Sequence, residues 1–256
     1  MTEQHSRGAR YVGVPWLHFM LLLLAGVSGS IDAIGYLKLG HVLTANMTGT
    51  TVLLGIAAGQ GKLLSAVRSL AALAGFMTGV AAGTVLVNRR DSTWVRTLSE
   101  SLGMECVLVA AMAVFWLAFM RKEPSLVVFG CIVLSSVAMG MQSATIRHLK
   151  IPGIVTTYIS GTITAVVTGI VKHFKGVVES VVHPGQDTLP SALETRIDLQ
   201  LWVFLVYGGV AALTALLYLK GMRFLPLLPL VLILGVLGVL RAHREMVDAK
   251  GRDLAG

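Results

Sequence analysis

The sequence predicts an all-α integral membrane protein, with about eight transmembrane segments arranged as two 4-helix repeats whose second and sixth spans are interrupted. Three observations carry that expectation. Of the 256 residues, 55% are hydrophobic and 13% charged, with a mean hydropathy of +0.77, where a soluble domain has about 25% charged residues. A soluble globule of this composition would expose large apolar patches. Apolar windows of about 20 residues, the length that crosses a hydrocarbon core of roughly 30 Å, recur along the chain. Finally, a polar, glycine-rich stretch from Asp32 to Thr50 (DAIGYLKLGHVLTANMTGT) returns in degenerate form from Gly140 to Thr162 (GMQSATIRHLKIPGIVTTYISGT), pairing Thr48-Gly49-Thr50 with Ser160-Gly161-Thr162.

Residues 1–16 read as a polar, basic cytoplasmic tail. The apolar run after Pro15 continues too far for a signal-peptide core, so the first span is expected to be retained. The first repeat, 17–120, holds spans at 17–37, 42–58, 64–87 and 102–120. The second, 121–241, holds 126–146, 154–171, 201–219 and 224–240, with an exposed polar loop at 173–198 for which a short interfacial helix is the alternative. Spans 42–58 and 154–171 are short and rich in Thr, Ser and Gly. Were either re-entrant, the count would fall toward six and the repeats could be inverted or parallel; both arrangements occur in transporters built from duplicated halves. Residues 88–100 mix Arg89, Arg90 and Arg96 with Asp91 and Glu100, the composition of a solvated loop. The charged tail 242–256 is expected to fray.

The formal charge is +8, but the 21 Lys and Arg are scattered among short loops instead of forming one stripe. That distribution suits lipid headgroups and a positive-inside bias, and not nucleic acid. Eight spans with the N-terminus inside place Arg7, Arg10, Lys62, Arg68, Arg241 and Arg244 on the cytoplasmic side.

Asp32 is the sharpest chemical observation. It lies about 15 residues into the first span, roughly 22 Å along a helix rising 1.5 Å per residue. A carboxyl at such depth costs about 2.5–3.5 kcal/mol to insert, so it faces a cavity, a partner or a proton path. The alternative is a helix that ends near Gly29, with Asp32 capping the next one. Tyr36, Asn46, Thr48 and Gly49 join it as candidate substrate-binding residues. Gly40 and Gly49 permit a broken backbone, and Asn46 and Thr48 can satisfy freed backbone groups or bind a ligand. A broken helix also presents N-terminal amides to an anionic or carbonyl-bearing solute. In the second half Pro152-Gly153 stands for Gly40-His41, and Thr156, Thr157, Tyr158 and Ser160 stand for the Thr44 to Thr48 group. Paired interruptions of this kind point to a transport site. Gln142 lies near the position of Asp32, with a helix-to-helix hydrogen bond as the alternative. Thr156, Ser160, Thr164 and Thr168 recur every four residues; packing is favoured for the last two.

Gly75, Gly79 and Gly83 let two backbones approach, inside the bundle or across a homodimer seam. Cys106 and Cys131 fall in apolar runs, and His41, His148 and His173 lack metal-ligand spacing; no metal or cofactor is expected. Enzyme signatures such as HExxH, GxSxG and Walker A are absent from the sequence, and an enzyme is not expected.

With SGSIDAIGYLKLGHVLTANMTGTTVLLGIA in the first half and AMGMQSATIRHLKIPGIVTTYISGT in the second, nearly the whole chain resembles the YoaK-type family of bacterial inner-membrane proteins. The family's usual asparagine after Thr-Gly is Thr50 here, and Ser160 stands where threonine is usual. The resemblance implies a multi-spanning protein of the bacterial inner membrane and supplies no substrate. The functional expectation rests on the broken repeats and Asp32: a secondary transporter for a small polar or anionic solute, proton-coupled through Asp32. A structural or regulatory membrane protein and a channel are the alternatives.

Overall fold

The computed structural model describes residues 15–87, 94–119, 125–148, 167–168, 171 and 191–253. Seven helices make up the described residues: α1 (Pro15–Lys38), α2 (Met47–Gly59), α3 (Leu63–Val87), α4 (Trp94–Phe119), α5 (Ser125–His148), α6 (Ser191–Leu219) and α7 (Leu227–Asp253). Within them, five stretches are long and apolar enough to cross a membrane: Trp16–Lys38, Leu63–Val87, Thr97–Phe119, Ser125–His148 and Asp198–Leu219. A sixth, Leu227–His243, is shorter.

The expected span 42–58 is not one crossing helix. Residues 39–46 are non-helical, and α2 has 13 residues, about 20 Å at 1.5 Å per residue, against a hydrocarbon core of roughly 30 Å. The expected span 154–171 lies almost wholly outside the described residues, so eight continuous spans are not what the helices provide. Three expectations outside the spans also change. α4 begins at Trp94 and runs through the stretch read as a loop, and α7 continues to Asp253 through the stretch expected to fray. Charged residues past the hydrocarbon core do not break a helix, because water and headgroups solvate them. α6 likewise begins at Ser191, inside the expected loop 173–198.

α1 and α5 are the central pair and the most buried of the spanning helices. Apolar side chains gain little from one another in lipid, so contact here depends on backbones coming close. Gly75, Gly79 and Gly83 of α3 meet α5 of the same chain: a Cβ on Gly75 would lie 3.0 Å from Ser136 Cβ, one on Gly79 would overlap the Val137 carbonyl, and one on Gly83 would lie 2.9 Å from Ala144 Cβ. All three glycines are buried there, which leaves none of them for a seam between copies. On α1, a Cβ at Gly29 would overlap the Tyr207 carbonyl of α6, and one at Gly26 would lie 3.4 Å from Val210.

These contacts fix helix directions. α1 and α6 run the same way, since Leu199 and Val203 pack with Leu17 to Leu24, Tyr207 meets Gly29, and the Lys38 Nζ sits 5.2 Å from the Tyr218 ring centre. α4 runs with them: Leu98 and Leu102 join the cluster of Leu17 and Ile146, while Met112 and Trp116 join that of Ile34 and Cys131. α7 runs against α1, with Leu225 beside Leu39 and His243 stacked on Trp16 at 4.3 Å. α5 is antiparallel to α1 and α4, and α3 is parallel to α5. Lys62 and Arg68, which eight spans would place on the same side as Arg241, therefore lie at the opposite end of the bundle.

Candidate functional site

After Lys38 the chain reverses. Gly40 and His41 take φ of +85° and +61°, a left-handed pair that stops α1, with the histidine costing about 1–2 kcal/mol by chirality. A Cβ on Gly40 would overlap the Arg68 guanidinium, the mobile end of a long side chain, so it is the positive φ that calls for glycine here. The His41 ring then rests edge-on against Tyr36, centroids 4.8 Å apart. From there the chain descends along α1 in the reverse direction. Val42 N–H donates to the Gly35 carbonyl at 3.4 Å, and three residues later Ala45 and Asn46 reach the level of Asp32.

Asp32 receives this turn. Its Oδ1 accepts the Ala45 N–H at 2.7 Å, and its Oδ2 accepts the Asn46 N–H at 3.1 Å and the Tyr207 hydroxyl at 2.6 Å. The side chain is 3% exposed. A carboxylate is an acceptor-only group, and the contacts supply donors to both oxygens. Helix α1 does not end near Gly29; it runs on to Lys38, and Asp32 holds the backbone just ahead of α2 from the side.

α2 starts at this depth and climbs back. Asn46 is its N-cap, with Oδ1 accepting the Gly49 N–H at 3.1 Å, the geometry that relieves one of the unpaired amides of a first turn. Thr50, buried, donates its hydroxyl to the Leu43 carbonyl and its N–H to the Asn46 carbonyl at 3.1 Å. A Cβ on Gly49 would lie 2.7 Å from Leu43. Segment 42–59 is thus a re-entrant unit, an extended limb descending along α1 and a short helix ascending from it. Tyr36 is 48% exposed near the start of the turn, and Thr48 is exposed on the first turn of α2.

The structure brings Asp32, Asn46 and Gly49 together at the base of the unit, with Tyr36 and Thr48 at its edge. Gln142 is not among them. It is fully buried on α5, and its Nε2 donates to the Leu24 carbonyl at 3.1 Å and the Ser28 hydroxyl at 3.0 Å, a bond from helix to helix. Thr156, Thr157, Tyr158 and Ser160 lie outside the described residues, as does Thr164; Thr168 is exposed.

With that geometry in place, comparison with known proteins has a definite object. The family described as Protein of unknown function (DUF1275) matches residues 20–240, which include the whole re-entrant unit. The chain belongs to this family. It is similar to the UPF0700 transmembrane protein YoaK of Bacillus subtilis (strain 168), 38% identical over 152 residues that cover 59% of this chain and 66% of that protein. The chain thus spans just under two thirds of that relative's length. No solved structure matches. Together the transmembrane relative and the apolar helices make this member of the family a multi-pass membrane protein.

Sequence reasoning missed two residues of consequence. Tyr207 supplies the shortest hydrogen bond to Asp32 from 175 positions away; nothing in the sequence separates it from Thr214 and Tyr218, the other hydroxyl-bearing residues of the same span. Glu105, 1% exposed on α4, lies within the expected span 102–120, where a lone acid gives the same signal that singled out Asp32.

Proposed function

We propose that the protein is a secondary transporter for a small polar solute, not an enzyme, set in the bacterial inner membrane with its N-terminus cytoplasmic. One observation carries this reading: the membrane-embedded start of α2, where Asp32 and Asn46 hold an extended limb against a half-length helix. Irregular backbone at that depth is tolerated where it lines a cavity or is buried in protein, and interrupted segments in corresponding places of two halves mark transport sites. The second interruption, at Pro152-Gly153, is read from the sequence.

An inverted pair of repeats is part of the proposal. α1 and α5, α3 and α6, and α4 and α7 hold corresponding places in sequence and run in opposite directions. The close contact of Gly29 with Tyr207 then corresponds to that of Gly140 with Phe76, and Gly26 with Val210 to Val137 with Gly79. Each half contributes three crossings and one interrupted segment. Alternating access is one half rocking against the other around the re-entrant unit.

The geometry favours a neutral or cationic solute over an anion, because the Asp32 carboxylate already stands at the positive end of α2. It also favours Asp32 as an anchor over Asp32 as the coupling group, since its donors are all supplied by the chain. Thr48 is the clean test position, exposed on the first turn of α2. Thermal stability of the purified protein and a Thr48→Val variant is measured against amino acids, nucleobases, sugars, cations and anions. A solute at 100 times its Kd stabilises by about 2.7 kcal/mol. The expected result is a shift in the parent that is weakened in the variant, followed by saturable uptake of that solute into proteoliposomes.

A second reading, a structural membrane protein, is favoured by the engagement of Asp32, Asn46, Gln142 and the α3 glycines in contacts within the chain. Absence of any shift across the panel, with both proteins folded, decides for it.

A further inference from the structure

Glu105 occupies the buried stripe of α4 between Leu102 and Val109, both with no exposed surface. Neither carboxyl oxygen has a hydrogen-bond partner among the described residues. Every other element packed on α4 presents an uncharged surface at this depth. Residues 125–146 of α5, 227–240 of α7 and 69–87 of α3 contain no Asp, Glu, Lys, Arg or His. The titratable groups nearest in sequence are Cys106 and Glu100 on α4 itself; Arg147 and His148 of α5, and Arg241, His243 and Glu245 of α7, lie at one end of the bundle, and Arg68 of α3 at the other. The Cys131 thiol of α5 is directed at the Met112 carbonyl of α4, seven residues beyond Glu105; α1 carries Asp32 and His18, and the Asp32 oxygens are taken by Ala45, Asn46 and Tyr207.

An ionised carboxylate without partners in such surroundings carries a heavy desolvation cost. A metal cation would relieve it only with several further oxygen ligands, and among the described residues no group of three acidic, histidine or cysteine side chains converges anywhere. A proton needs neither extra ligands nor extra volume. Packing does not call for a carboxyl here either: α7, the helix that corresponds to α4 in the proposed inverted arrangement, fills its buried stripe with Ile233, Val236 and Leu240.

Hydroxyl side chains share this stripe on the side of Glu105 toward the first turns of α4. Thr97, Ser101 and Glu105 recur every four residues on the buried side of α4, at 4%, 1% and 1% exposure, so successive groups are about 6 Å apart along the axis. Thr145 of α5 joins the file: its hydroxyl donates to the Met141 carbonyl at 2.8 Å, which makes Ser101 the donor in the 2.5 Å contact between Ser101 and Thr145. Hydroxyls both donate and accept, and their row runs from the first turns of α4 inward to the acid.

We propose that Glu105 is an exchangeable proton-binding site, reached through the hydroxyls of Thr97, Ser101 and Thr145 from the face at which α4 begins. On the transport reading, on which this one extension rests, the proton is then the coupling ion and Glu105 its carrier. The proton site itself stands without that reading, and its test uses no solute.

The full-length protein in lipid is examined by infrared difference spectroscopy at neutral pH, in water and in heavy water, beside Glu105→Gln, Glu105→Leu and Asp32→Asn. The expected result is an absorption of a protonated carboxyl that shifts on transfer to heavy water, is lost in both Glu105 variants and persists in Asp32→Asn. Two different replacements guard against a single variant that fails to fold. A spectrum without that absorption, one in which it survives both Glu105 substitutions, or one that never shifts in heavy water overturns the proposal. Retention of the site in a protein that moves no solute would refute the transport reading alone.

Discussion

Replacing Tyr207 by phenylalanine removes one hydroxyl and leaves the ring that packs against the cluster of Leu24 and Val203, so the perturbation is confined to the 2.6 Å bond to Asp32. Hydrogen bonds to charged groups contribute about 1.5–3 kcal/mol in proteins generally, while bonds between membrane helices average about 0.6 and reach about 1.7 kcal/mol. A short bond to a buried carboxylate belongs at the upper end of the membrane range, so Tyr207→Phe is expected to destabilise by about 1.5 kcal/mol. Asp32→Asn acts differently. The amide nitrogen replaces one acceptor and must face a donor, the Ala45 N–H or the Asn46 N–H depending on its orientation. An unsatisfied buried N–H costs about 1–3 kcal/mol. Because Tyr207 and Asn46 share the same oxygen, the two substitutions remove overlapping interactions, and the double variant should be less destabilised than the sum by about 1 kcal/mol. Reversible unfolding in mixed micelles, run on all four proteins, measures that difference. Additivity within about 0.5 kcal/mol, the behaviour of independent sites, would refute the direct coupling of α6 to the re-entrant unit.

Asn46→Ala should cost about 1 kcal/mol through loss of the cap on α2, with Asn46→Asp restoring most of it in the same unfolding assay. Gly79→Ala puts a methyl group on the Val137 carbonyl and should lose about 1–3 kcal/mol to overpacking. Gly103→Ala, whose Cβ meets nothing within 4 Å, should be neutral or up to about 1 kcal/mol more stable from helix propensity. Cysteines introduced at Lys62 and Lys220 should react with an impermeant thiol reagent from one side of the membrane, and those at His148 and His243 from the other; any exchange between the two sets contradicts the helix directions.

Apolar windows located six of the helices well because hydrocarbon thickness imposes a length that sequence must honour. Helix ends were less legible: Arg96 and Glu100 look like loop residues, yet a helix emerging from the bilayer keeps its backbone bonds in water as readily as in lipid. The polar stretch 32–50 stands out in the sequence, but whether it crosses or turns back depends on two left-handed residues and on a hydrogen bond from Val42 to Gly35, neither of which leaves a periodic trace. Asp32 was legible as a deep acid, whereas its partner Tyr207 had no local signature. Gln142 shows the converse. Similarity of position to Asp32 suggested a shared site, but its amide is used to join α5 to α1.

The bond between Asp32 and Tyr207 also orders events during synthesis. The hydroxyl lies 175 residues downstream of the carboxylate, and at roughly 5–20 residues per second its codon is translated about 10–35 s after that of Asp32. Throughout that interval α1 and the re-entrant unit sit in the bilayer with Oδ2 held by the Asn46 amide alone. Chains that stop before α6 lack the Tyr207 hydroxyl and leave the carboxylate one donor short.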